Sequence, residues 1–89
     1  MKSLIEYINE RQLGQGWKSE ESKNGKYVAT ILSFDQPSRY GIDGGKISKL
    51  TIQDKKNKNR WLCNFDRGWD IEPVDEVKEF YDEIIKKYN

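Results

Sequence analysis

Histidine is absent from this 89-residue chain. With it goes the commonest general base and a common nitrogen ligand for transition metals. Cys63 is the only cysteine, so no internal disulfide can form. It reads as an inward strand residue with no activating base beside it, which disfavours thiol catalysis. No apolar run approaches the ~20 residues that span a bilayer. Glu6 interrupts the N-terminus before the apolar region of a secretion signal could develop, so a cytoplasmic location is expected. Neither sign of charge dominates: 16 Lys and Arg against 15 Asp and Glu leave a net +1. No global field therefore draws the chain to nucleic acid or to an anionic membrane, and any basic patch must be local.

Apolar residues are scarce as well, at 35 % of the chain, where ~45–50 % is usual. Charged residues also make up 35 %, against ~25 % in an ordinary globular domain. A chain of this length forms one domain, 1–89, burying only about 60 to 65 % of the surface its unfolded form exposes. The core must be thin, or completed by a second copy, so a homo-oligomer is expected. Three Trp, five Tyr and three Phe are too many large apolar side chains for a disordered chain.

What is present orders itself into short elements. Ser3-Leu4-Ile5-Glu6 reads as a capping box opening a short helix, with Leu4, Ile5 and Ile8 on one face and Gly14 as the stop. Residues 16–21 form a weak strand, joined through Asn24-Gly25, a dipeptide suited to a two-residue type I′ turn, to the strong strand 26–34. Apolar groups on both faces of that second strand predict cover on both sides. Residues 46–53 alternate, with Ser48, Leu50 and Ile52 on the inward face. After a polar turn, 60–65 return with Trp61, Cys63 and Phe65 together. From Val74, apolar residues recur at helical spacing through Tyr88, with acids early and bases late, as the helix dipole favours. The expected fold is α+β: a four-stranded antiparallel meander with a short N-terminal helix and a longer C-terminal helix packed on the sheet.

Alternating strand direction gathers three segments at one end of such a sheet: 14–17, the loop 35–45 and the turn 66–70. The loop is overlong for a reversal of direction and dense in chemistry. Gly41, Gly44 and Gly45 could turn several N–H groups into an anion-binding concavity. Arg39, Lys46, Lys49 and Arg67 could meet phosphates, with the hydroxyls of Ser38 and Ser48 beside them and Tyr40 or Trp69 as stacking faces. The candidate ligand-binding residues are thus Ser38, Arg39, Tyr40, Gly44, Gly45, Lys46, Ser48, Lys49, Arg67, Trp69 and Asp70. Each has a structural alternative. Asp43-Gly44-Gly45 suits a tight turn with positive φ, Gly68 could serve the same need, Asp66 and Asp70 could hold Arg67, and Trp17 and Trp69 could be core. Gly-Gly-Lys here leads into a strand, so the pattern is neither a P-loop nor a dinucleotide fingerprint.

These residues carry a resemblance. Pro37-Ser38-Arg39-Tyr40-Gly41-Ile42-Asp43-Gly44-Gly45-Lys46-Ile47-Ser48-Lys49-Leu50 and Phe65-Asp66-Arg67-Gly68-Trp69-Asp70 resemble segments shared by an uncharacterised family of short proteins of phages, plasmids and genomes of Gram-positive bacteria. The likeness spans roughly Trp17 to Asp70. It implies a mobile-element setting, where small inhibitors and sequestering proteins are common, and it brings no catalytic residues with it.

The expected function is a non-enzymatic binding protein that captures a small phosphate-bearing ligand, such as a nucleotide signal of host defence, at 35–49 and 66–70, with no cofactor. The alternative is a protein-interaction module that inhibits a host protein through the aromatic and acidic surfaces around Trp69 and the last helix. A Mg²⁺ site among Asp35, Asp43, Asp66 and Asp70 is the one route to an enzyme. RNA binding is disfavoured because Asp75, Glu76 and Glu79 open the last helix where a phosphate-gripping helix needs cations. The lysine-rich turn 55–60 could grip phosphate or simply be solvated, and lies at the far end from the glycine loop.

Overall fold

A computed structural model describes residues 16–89. The helix expected after Ser3 lies outside the described residues. The strands are β1 (Trp17–Glu21), β2 (Tyr27–Ser33), β3 (Ile47–Asp54), β4 (Trp61–Asp66) and β5 (Trp69–Ile71), paired antiparallel in the order β1-β2-β3-β4-β5. A 3-10 turn, Asp75–Val77, leads into the helix α1 (Lys78–Tyr88). The meander and the C-terminal helix are as expected, but the sheet has five strands rather than four. Arg67 takes a left-handed backbone, φ 57°, and the Asp66 N–H reaches the Gly68 carbonyl at 2.9 Å, so the chain doubles back and adds Trp69–Ile71.

One face of the sheet makes the core. Tyr27, Ala29, Ile31 and Ser33 of β2 alternate as buried residues, and Leu50, Ile52, Cys63 and Phe65 continue the layer. Val77, Phe80 and Ile84, at helical spacing, close it from above, and Ile42 enters from the loop. The other face of β2, with Val28, Thr30 and Leu32, is half-buried.

Two bulges reset the alternation that a regular pattern would carry through. Between β2 and β3, Leu32 opposes Lys49 but Ser33 opposes Ile47, so Ile47 is buried and Ser48 sits in the bulge. Between β3 and β4, Ile52 opposes Cys63 but Gln53 opposes Trp61, which throws Trp61 outward, 43 % exposed, and buries Leu62. The turn at Asn24-Gly25 also differs from a two-residue type I′ turn. The last bonded pair is Ser22 with Tyr27, and Ser22 Oγ accepts the Tyr27 N–H while Asn24 Oδ1 accepts the Lys26 N–H, giving a longer side-chain-braced loop.

Polar contacts pin α1 at both ends. Near its start, Tyr27 donates to Glu76, which Arg60 also meets at 2.6 Å. Near its end, Lys87 and the Tyr88 hydroxyl both donate to Glu20 of β1. These donors hold the Glu20 carboxyl below its usual range, the Lys87 bond being the largest cause. A folded value below the unfolded one gives stability that is present above the ordinary glutamate pKa of about 4.3 and is lost as the pH falls through the depressed value. Thermal melts are therefore expected to show Glu20→Gln less acid-sensitive than the wild type, and equal slopes would refute the coupling.

Cys63 lies wholly inside, and burial pushes its thiol up to about 12. Iodoacetamide in mildly alkaline buffer is expected to leave it unmodified in the folded protein and to alkylate it rapidly in denaturant, as read by intact-mass spectrometry.

Candidate functional site

The loop 34–46 is a compact clasp built on its own backbone. The Phe34 N–H bonds Lys46 O, the Ser38 N–H bonds Gly45 O, and Ser38 O accepts the Gly41 N–H at 2.8 Å. The Gly44 N–H reaches Gly41 O and the Gly45 N–H reaches Ile42 O. All three glycine N–H groups that could form an anion cradle are thus spent inside the loop. Asp43 (φ 52°) and Gly44 (φ 71°) hold the left-handed turn. Gly41 and Gly45 serve close approach instead: a Cβ on Gly41 would run into the Gly45 carbonyl, and one on Gly45 into the side chain of Asn89.

Asn89, just past α1, ties this loop to the helix. Its Nδ2 donates to Ile42 O at 3.1 Å and its Oδ1 accepts the Ile47 N–H at 2.9 Å. The loop therefore sits at the C-terminal end of α1, where the helix dipole presents its negative pole. Both features make the glycines a scaffold that seats Ile42 in the core.

The expected convergence of chain segments is present along the sheet end. The Ser33 N–H bonds Gly16 O, the Phe34 N–H bonds Lys46 O, and the Arg67 N–H bonds Ser48 O at 3.1 Å. The candidate residues nevertheless fall into separate groups. Lys49 and Asp66 are cross-strand neighbours on the face away from α1, with Lys49 3.9 Å and Arg67 3.8 Å from the Asp66 carboxylate. At the loop tip Ser38 Oγ accepts the Tyr40 N–H, and the Arg39 guanidinium lies 5.1 Å from the Tyr40 ring while donating to its hydroxyl. Lys46 is exposed, and Asp70 is exposed in β5. Gly68 was a candidate for positive φ, but Arg67 holds that conformation instead.

Trp69 belongs to a third group, on the α1 side. It opposes Phe65 in register and stands edge-on to its ring at 4.9 Å, with the Tyr81 ring 6.0 Å away. Trp69 stays 37 % exposed. Burial raises the Tyr81 hydroxyl to about 12, and the negative charges of Asp43, Asp82 and Glu72 all act in the same sense. The loop, the segment after β5 and α1 thus each bring a carboxylate into electrostatic range of the Tyr81 hydroxyl. Tyr81, Asp43, Glu72 and Asp82 escape a reading for phosphate chemistry. Their signal in the sequence is a tyrosine at the border of an apolar helical stripe with an acid next to it.

At the hairpin end of the sheet a groove of ≈ 500 Å³ is lined by Asn24, Lys26, Tyr27, Asp54, Lys56 and Arg60 among others. Of its cations, Arg60 meets Asp54 at 3.1 Å and Glu76, and beside the groove Lys55 meets Glu21 at 3.0 Å. Among the described residues no cluster of three or more acidic or thiol side chains is placed to hold a metal ion. No helix among them is long and apolar enough to cross a membrane.

Residues 16–89 match a domain of unknown function, DUF7678, and the chain belongs to that family. No curated protein and no solved structure matches the chain.

Proposed function

We propose that this member of the DUF7678 family is a non-enzymatic protein-interaction module, carried by a mobile element and inhibiting a host protein, that meets its partner through Trp69 and Tyr81. The observation that carries this reading is the exposed Trp69 beside a half-buried Tyr81 on whose hydroxyl carboxylates from separate parts of the chain act. Aromatics dominate interface energetics, and a rim of one sign selects the partner's charge. The surface suits a basic segment whose Arg or Lys side chains can lie on the rings and meet the acids.

Capture from host extract after nuclease treatment tests it. Wild type and Arg67→Ala should retain the same stoichiometric protein, and Trp69→Ala should lose it. Retention by Trp69→Ala would sink the reading.

Capture of a phosphate-bearing ligand stands as the second reading, favoured by the Ser48, Lys49 and Arg67 juxtaposition. Here the side-chain cations Lys49 and Arg67 replace the glycine N–H groups as the phosphate contacts. It requires a thermal shift with a mono-, di- or cyclic nucleotide that disappears in Arg67→Ala. A screen without any stabilisation ends it.

A further inference from the structure

Among the described residues β1 is an edge strand, and its hydrogen-bonding pattern with β2 defines which of its backbone groups β2 leaves unused. At one end the Ser33 N–H bonds Gly16 O at 2.8 Å, and at the other the Ser22 N–H bonds Tyr27 O at 3.0 Å. Antiparallel bonding alternates, so Gly16, Lys18, Glu20 and Ser22 face β2. Trp17, Ser19 and Glu21 therefore turn their N–H and C=O groups to the outer edge. Among the described residues no strand pairs with that edge. Unpaired edges of this kind are templates for another strand.

We propose that two copies of this chain pair antiparallel through β1, about a two-fold axis at Ser19. A two-fold centred on any residue of β1 brings outward-facing groups of both copies together, but centred on Lys18 or on Glu20 it sets that residue against its own copy, like charge against like. Centred on Ser19, the strand Trp17-Lys18-Ser19-Glu20-Glu21 overlaps itself over its whole length. Lys18 of each copy then stands directly opposite Glu20 of the other, on the α1 side, and Trp17 stands opposite Glu21 on the far side. Centred on Glu21, the same strand would set Glu21 against Glu21. Charge therefore selects the Ser19 register, because opposite charges across a pair stabilise it and like charges oppose it. The interface is isologous and closes after two subunits, joining the two sheets into one. It leaves β5 and the Trp69–Tyr81 surface at the far edges of the joined sheet.

Sedimentation of the full chain over the micromolar range tests the charge pattern. Lys18→Glu and Glu20→Lys should each weaken the dimer roughly tenfold or more, since each sets like charges opposite one another twice. The double variant Lys18→Glu/Glu20→Lys should restore it. Because Lys18 also meets Ser33 and Glu20 also meets Lys87 within one chain, Ser19→Cys supplies a separate measurement. Facing residues at the axis lie about 5.5 Å apart at Cα, within the ~4.4–6.8 Å that a disulfide spans. Oxidation should give a covalent dimer of Ser19→Cys and none of Lys23→Cys. A monomer at every concentration, a dimer indifferent to the charge changes, or equal cross-linking of both cysteine variants would overturn the proposal.

Discussion

Trp69→Ala is expected to weaken partner binding by about 2 kcal/mol or more, which is about thirtyfold in Kd, the cost typical of a central aromatic anchor. The indole contributes in two ways. Its exposed part offers apolar area at the edge of the sheet, and its edge-on contact with Phe65 fixes its orientation before any partner arrives. Truncation also removes packing, so the melting temperature must be measured beside the affinity. A variant that keeps the fold separates the effects: Glu72→Lys/Asp82→Lys alters only exposed or rim positions, where substitutions usually change stability by less than about 0.5 kcal/mol. It reverses charges that act on Tyr81. For a basic partner its affinity should fall mainly through slower association, measured by surface plasmon resonance at low and high salt. Unchanged association at both salt concentrations would contradict an acidic contact surface.

Gly41→Ala is expected to be the most damaging conservative change in the loop. A methyl group there meets the Gly45 carbonyl and the Ile47 backbone, neither of which can move without releasing Ile42 from the core. Overpacking of this kind costs about 1–3 kcal/mol and more where backbone must shift. In a domain of this size each kcal/mol lowers Tm by roughly 4–8 °C. Gly44→Ala has open space around it but a left-handed backbone, so its cost is about 1 kcal/mol. Gly68→Ala meets nothing and needs no positive φ, and is expected to be neutral or stabilising by up to about 1 kcal/mol. Thermal melts of the three variants check this ranking. A set of equal, small shifts would remove the structural explanation of the glycines.

Much of this was legible in the sequence, and the remainder was hidden for identifiable reasons. The C-terminal helix announces itself because Val77, Phe80 and Ile84 repeat at the helical period over several turns. The four longer strands and their antiparallel order follow from β-branched runs separated by polar turns. β5 is hidden because three residues carry no period, and its formation depends on a left-handed Arg67 that sequence marks only weakly. The faces of Ser48 and Trp61 are hidden because a single bulge inverts parity for everything beyond it. The same limit governs the candidate site. Strand direction brings the loop, β3 and the 66–70 turn to one end, but parity sends Lys49 and Asp66 to one face and Trp69 to the other. The clasp of Asn89 on Ile42 and Ile47 joins residues more than forty apart, and no local pattern announces it.

The proposed function divides labour at the loop end: the glycine loop would be scaffold, and the Trp69–Tyr81 surface would make contact. Hydrogen exchange of the captured complex against the free chain tests that division most directly. Binding should slow exchange across 69–82 and leave 38–46 as it was. Protection confined to 38–49 and residue 67, with 69–82 unchanged, would contradict it.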